Sequence, residues 1–149
     1  MSDTMDTYDE RRQKRQEQIK KMRLAKASFM NDSKWTKFFQ AVQGSDMSLH
    51  GESMKVLGSD YISPFSLKNH GLYWVRGYTA DAWGGPCAYR EIEWIFVPAM
   101  HEVARYNRDE QLMPKRQAND IHALKELIDS LGQFEYDLDE KGLKIYGYK

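Results

Sequence analysis

Four histidines and one cysteine are the side chains here best suited to metal or nucleophilic chemistry, so their spacing comes first. No two of His50, His70, His101 and His122 stand at i+2, i+3 or i+4, the local spacings of a ligand pair. They read as surface or half-buried structural histidines. Cys87 follows Gly84-Gly85-Pro86, a turn that could expose a thiolate. A catalytic thiol needs a base, and only the fold could bring His70 or His101 to it. A small, inert thiol is the simpler reading. A single cysteine also excludes an intramolecular disulfide and a Cys-rich zinc site, and it suits a reducing compartment. The expectation is no catalytic residue, no metal, no cofactor and no enzyme.

Charge is the other source of chemistry. The net charge is zero, but residues 1–30 hold eight Lys or Arg against five Asp or Glu, and the rest of the chain carries the opposite imbalance. Between Arg11 and Lys26 all eight basic side chains meet only Glu17. Arg11, Arg12, Lys14, Arg15, Lys20, Lys21 and Arg23 are therefore candidates for phosphate contact. Residues 126–140 hold six acidic side chains and no Lys or Arg. Glu135, Asp137, Asp139 and Glu140 are the candidates for docking a basic protein, since charge complementarity steers association. A calcium site is a poorer reading still, since no Asp-x-Asp-x-Asp-Gly loop is present. Trp74, Arg76 and Tyr78 resemble a base-stacking platform, but an RNA-recognition motif needs aromatics on adjacent strands in a βαββαβ order. Core packing is the simpler account.

These residues need elements to hold them. Aromatics make up 13% of the chain, with four Trp and nine Tyr, which argues for a packed interior. Residues 1–43 lack Gly and Pro, and Asp9 to Met30 is rich in helix formers with only a thin apolar stripe. Asn31-Asp32-Ser33 signals a helix start, and Trp35, Phe38, Phe39 and Val42 then share one face until Gly44. Residues 45–58 read as a loop, and Asp60 to Pro64 as a short extended piece. Gly71 to Thr79 and Ala88 to Val97 read as strands, the second with Ile92, Trp94 and Phe96 on one face. Residues 99–118 read as polar and irregular, with one short helix near Met100 to Tyr106. Asn119-Asp120 restarts a helix with Ile121, Leu124, Leu127, Ile128 and Leu131 as its stripe, and Gly132 stands at its end. Tyr136, Leu138 and the turn Asp139-Glu140-Lys141-Gly142 announce a closing β-hairpin.

The fold class is therefore α+β. An antiparallel sheet of about four or five strands carries helices on one face. Residues 1–30 form a basic helical extension, and residues 31–149 form one domain. No signal peptide and no spanning stretch are seen, which makes the cytoplasm the expected location and excludes a membrane partner.

Ser33-Lys34-Trp35, Tyr61-Ile62-Ser63-Pro64, Tyr89-Arg90-Glu91-Ile92-Glu93-Trp94-Ile95 and Gly142-Leu143-Lys144-Ile145-Tyr146-Gly147-Tyr148 together resemble a family of small uncharacterised bacterial proteins. The resemblance covers about residues 31–149. It implies a bacterial origin and one compact domain, and it brings no activity and no functional residues. Beside it, residues 1–29 look like an addition and residues 99–118 like an insertion.

Two function classes fit these observations. The leading expectation is a non-catalytic protein-binding domain, of the kind that inhibits a bacterial toxin as an immunity protein. The alternative is a nucleic-acid-binding accessory protein that uses the basic helix. That helix could also serve as an oligomerisation arm, though its stripe is thin for a coiled coil. An enzyme with dispersed residues would require a deep polar cleft with Cys87 beside a histidine.

Overall fold

The computed structural model describes residues 3–80, 85–106 and 111–149. In chain order the elements are α1 (Asp3–Ala25), α2 (Asp32–Gln43), β1 (Ser53–Val56), β2 (Ser63–Pro64) and the single-turn α3 (Leu67–His70). After a 3₁₀ turn at Tyr89–Glu91 come β3 (Ile92–Pro98), β4 (Met100–Tyr106), β5 (Gln111–Ala118), α4 (Ile121–Leu131), β6 (Tyr136–Asp139) and β7 (Gly142–Tyr146). The protein is α+β. One antiparallel sheet runs in the order β2-β1-β3-β7-β6, and β4 and β5 form a separate ribbon.

Local chemistry sets the helix boundaries. The Asn31 side chain accepts the Lys34 N–H at 2.8 Å, satisfying one of the unpaired donors at the start of α2. Gly44 closes the helix, its N–H bonding the Gln40 carbonyl at 3.0 Å. Trp35, Phe38, Phe39 and Val42 are all fully buried, as their spacing predicts. Each such side chain contributes about 1.5–3 kcal/mol on burial, so the apolar face of α2 anchors the core. Ile121, Leu124 and Ile128 of α4 join it from the same side, and Met54, Ile95, Val97, Leu143 and Ile145 supply the sheet's half. Phe39 stacks on Trp35 with ring centroids 5.5 Å apart and also meets Phe65 and Tyr89. Gly71 is needed here, because a Cβ at that position would run into the Phe39 ring. The closing hairpin forms as expected, with Asp139 opposite Gly142 and Asp137 opposite Lys144.

Four expectations are corrected. Residues 45–58 are not all loop, because Ser53–Val56 pair with both β2 and β3. Gly71 to Thr79 is not a strand. Its backbone bonds scatter to loop partners, Thr79 N–H to Cys87, Ala80 N–H to His70 and Tyr89 N–H to Gly77, and Gly77 turns the chain with φ +82°. Trp74 stands 83% exposed rather than in the core. Residues 99–118 are neither irregular nor helical, since β4 and β5 pair along most of that stretch. Pro114 sits at an irregularity where Leu112 and Lys115 face Arg105 and Val103, a place that tolerates a residue with no N–H. Gly84 of the expected turn, and residues 107–110 of the expected irregular stretch, lie outside the described residues.

The fourth correction matters most. Trp94 and Phe96 were expected to share a face with Ile92. Val56 instead faces Ile92 while Lys55 faces Trp94, so Glu93 is an extra residue on β3. This β-bulge shifts the alternation by one position. Ile92, Ile95 and Val97 all reach the core, and Trp94 and Phe96 are left on the opposite side.

Candidate functional site

The bulge creates a sheet face with two unlike sides. Beneath it lie α2 and α4. On the other side Trp94 stands directly opposite Tyr146, and Phe96 opposite Lys144. The Lys144 ammonium lies over the Trp94 ring, 4.5 Å from its centroid, and Lys149 lies 4.9 Å from that of Tyr146. These aromatics are half-buried and wall a groove of about 420 Å³ that also takes in Ile62, Asp137 and Asp139. Ile62 is 51% exposed, a large apolar side chain at the groove's edge. The Tyr146 hydroxyl donates to Asp137 at 2.8 Å. Burial, with that carboxylate beside it, pushes its phenol up to about 12, so it remains a neutral donor across the physiological range.

The four expected acidic residues do gather at this end of the sheet. Glu135 pairs with Lys149 at 3.2 Å, and Asp137 lies 3.8 Å from the same ammonium. Asp139 accepts the Lys141 N–H at 2.8 Å and shapes the hairpin turn. Glu140 is exposed at the turn itself. Three of the four carboxylates thus have partners within the fold, and Asp139 and Glu140 present the least compensated charge.

The basic residues lie on α1, where Ile19 is buried and every other side chain from Asp9 to Ala25 is exposed. Ile19 packs with Leu57 and Tyr148 in a small cluster apart from the main core. Arg23 donates to the Tyr148 hydroxyl at 3.0 Å. Arg11, Arg12, Lys14, Arg15, Lys20 and Lys21 hold no ion pair or side-chain hydrogen bond among the described residues. Immediately after the helix, Lys26 pairs with Glu93, which also pairs with Lys55. Residues 27–29 then run alongside the C-terminus, with Ala27 and Lys149 exchanging two backbone bonds and Phe29 bonding Gly147.

The fold distributes the nucleophilic and metal-ligating candidates without assembling a centre. Burial, with Glu91 nearby, pushes the Cys87 thiol up to about 12, and its Sγ donates to the Ala88 carbonyl. The thiol is therefore protonated and a poor nucleophile. The His70 Nδ1 accepts the Ser66 N–H at 2.9 Å, which closes the turn of α3. His122 is exposed on α4. The fold does unite one pair that spacing missed. His50 and His101 stack with centroids 6.3 Å apart, and His50 Nε2 lies 3.1 Å from the Ser48 hydroxyl. Among the described residues no group of three His, Cys, Asp or Glu side chains is placed to hold a metal.

The aromatic groove was also missed, because its signal was read on the wrong face. The parity of β3 depends on the bulge, and the register against β1 is a tertiary fact. Trp74, Arg76 and Tyr78 form no platform; Trp74 packs on Tyr73 at 5.4 Å instead.

Among the described residues no helix is long and apolar enough to cross a membrane. No curated protein and no solved structure matches the chain. A family match extends over residues 16–149 in one span that begins inside α1, ahead of the expected residue 31. The second half of the basic helix and the β4–β5 ribbon thus fall within the matched span. The chain belongs to the family of unknown function DUF6678.

Proposed function

We propose that the chain is a non-catalytic protein-binding domain that docks its partner on the aromatic face of the sheet. One observation carries this reading: Trp94, Phe96 and Tyr146 stand together on adjacent strands, on the side away from α2 and α4. Aromatic anchors in a partly desolvated hollow, rimmed by charge, are the anatomy of a protein hot spot. The same aromatics could stack on bases, but a groove in which Asp137 and Asp139 offset Lys141 and Lys144 offers a phosphate backbone no net attraction.

The finer reading is an immunity-type inhibitor in a bacterial cytoplasm, acting on a toxin domain with a basic surface. Asp139 and Glu140 favour it, because carboxylates with no ion-pair partner among the described residues, beside an aromatic hollow, steer a cationic partner to it. The chain itself performs no chemistry in this reading, and it needs no cofactor.

The test is co-purification from the native cells at low salt, with the wild type and the Trp94→Ala variant in parallel. Trp94 lies off the core, so its loss leaves the fold intact. The wild type is expected to retain a basic protein that the variant loses by about tenfold or more, a hot-spot effect of at least 1.4 kcal/mol. That protein, expressed alone, is expected to arrest growth, and co-expression of this chain to relieve the arrest. Equal recovery by both forms overturns the docking face. A harmless partner overturns the inhibitor reading alone.

A further inference from the structure

Apart from the sheet face, we propose that α1 is a second binding element, one that grips the phosphate backbone of a double-stranded nucleic acid. Eight basic side chains lie between Arg11 and Lys26 with Glu17 as the one carboxylate among them. The body of the protein uses Arg23, through Tyr148, and Lys26, through Glu93. Arg11, Arg12, Lys14, Arg15, Lys20 and Lys21 remain exposed, with no ionic or hydrogen-bonded partner among the described residues.

The apolar content of the helix decides what partner suits these charges. A protein groove recognises a helix through apolar anchors at i, i+3 or i+4 and i+7. Residues 9–18 contain no apolar side chain at all, and the next one, Ile19, is already buried against Leu57 and Tyr148. An acidic protein would gain only exposed charge pairs, each worth about 0–1 kcal/mol. A nucleic acid needs no anchor, because binding is driven by release of its condensed counterions. Gln13, Gln16 and Gln18 add neutral donors for phosphate oxygens.

Two further features point to a duplex. From Asp9 to Lys26 there is no aromatic side chain on which an unpaired base could stack. The charges also lie on more than one side of the helix. At about 100° per residue, Lys14 and Lys21 lie opposite the buried Ile19, with Arg11 and Lys20 on the two flanks, while Arg12 and Arg15 lie nearer Ile19's own side. A helix about 10–12 Å across fills a groove about 12 Å wide and meets phosphates on both walls. Charge on two flanks fits that setting better than a single stripe would. The sheet-face carboxylates do not oppose this contact, since they lie on the groove side of β6 and not on α1.

The experiment uses the full chain and a short labelled DNA duplex of mixed sequence, with fluorescence anisotropy read from about 50 to about 200 mM salt. With about four phosphates neutralised, affinity is expected to fall about 100-fold across that range. The variant carrying Arg11→Gln, Lys14→Gln, Lys20→Gln and Lys21→Gln keeps good helix formers and leaves Ile19, Arg23 and Lys26 in place. It is expected to bind at least about tenfold more weakly at low salt, with a flatter salt dependence. A control with Lys37→Gln, Arg90→Gln and Lys141→Gln removes three charges from the body and is expected to bind as the wild type does. The proposal is overturned if the wild type shows no salt-dependent binding, or if the α1 variant binds like the control. It is equally overturned if polyglutamate displaces the duplex at matched charge, which would assign α1 to acidic proteins, or if a single strand binds more tightly than the duplex.

Discussion

Two neighbouring helices of this chain form for opposite reasons. In α2 four large side chains of twelve residues are fully buried, and burial dictates its position. In α1 Ile19 is the one buried side chain from Asp9 to Ala25. What favours α1 is local. The segment from Asp9 to Ala25 is rich in strong helix formers without Gly or Pro, and Arg23 in the last turn complements the helix dipole. The difference teaches that one helix is a wall of the core and the other a solvated arm, tied down at a few points near its end.

The sharpest way to break that contrast is to open a cavity in the wall. Phe39→Ala removes a ring that touches Trp35, Phe65 and Tyr89 at centroid distances of 5.2–6.1 Å, with Gly71 closing against it. Because the gap is lined by other elements that are themselves fully packed, little collapse can fill it. Urea unfolding followed by tryptophan fluorescence is expected to show a loss of about 3–5 kcal/mol. A loss below about 1 kcal/mol would mean that α2 is not the wall its burial describes.

The matching substitution on the arm is Ile19→Ala. It removes the one apolar side chain buried between Asp9 and Ala25, which packs against Leu57 and Tyr148. The docking of α1 is expected to weaken by about 1–2 kcal/mol. The helical circular dichroism signal should fall, and trypsin should cut sooner between Arg11 and Lys21, while the urea midpoint of the tryptophan signal stays nearly fixed. If Ile19→Ala lowers that midpoint as far as Phe39→Ala does, the arm and the wall are one cooperative unit and the contrast fails.

How far the sequence could be read follows the same division. The α2 face, the α4 stripe and the closing hairpin were legible because each is specified within a single element, by periodicity, a cap or a turn. The strands that were missed, β1 and the β4–β5 ribbon, are specified by their partners. Ser53–Val56 is too short to show a period, and the polar stretch of β4 and β5 is ordered by pairing across an irregularity that accommodates Pro114. The candidate site divides likewise. Glu135, Asp137, Asp139 and Glu140 gather where the hairpin reading put them, but their compensation by Lys149 and by the turn's own N–H groups needed the fold. The aromatic face was out of reach because Glu93, an acidic residue in an otherwise apolar strand, shifts the parity of β3. Its reason for being there lies outside its strand, in Lys26 and Lys55.

That carboxylate is also where the arm and the body meet, and it yields the smallest of these effects. Glu93 is 7% exposed, and it joins Lys26 at the end of α1 to Lys55 of β1. Burial alone would raise its carboxyl, but hydrogen bonds from the two lysines outweigh that and hold it below the ordinary value of 4.5. A carboxyl lowered on folding adds stability that is fully present above its unfolded value and is lost as pH falls through the folded one. The clamp therefore holds at neutral pH and releases in the acid range below 4.5. Because the Lys26 side chain is 39% exposed, water screens its share of the pairing, and the effect is about 1 kcal/mol. Hydrogen exchange at the Ala27 and Phe29 amides, which bond the Lys149 and Gly147 carbonyls, reads the clamp directly. Acidification is expected to speed exchange there in the wild type ahead of the core amides of β3. In Glu93→Gln these amides are expected to exchange faster already at neutral pH, with little further response to acid. If the variant keeps the wild-type acid response, another group holds the arm, and the seam between the two regions lies elsewhere.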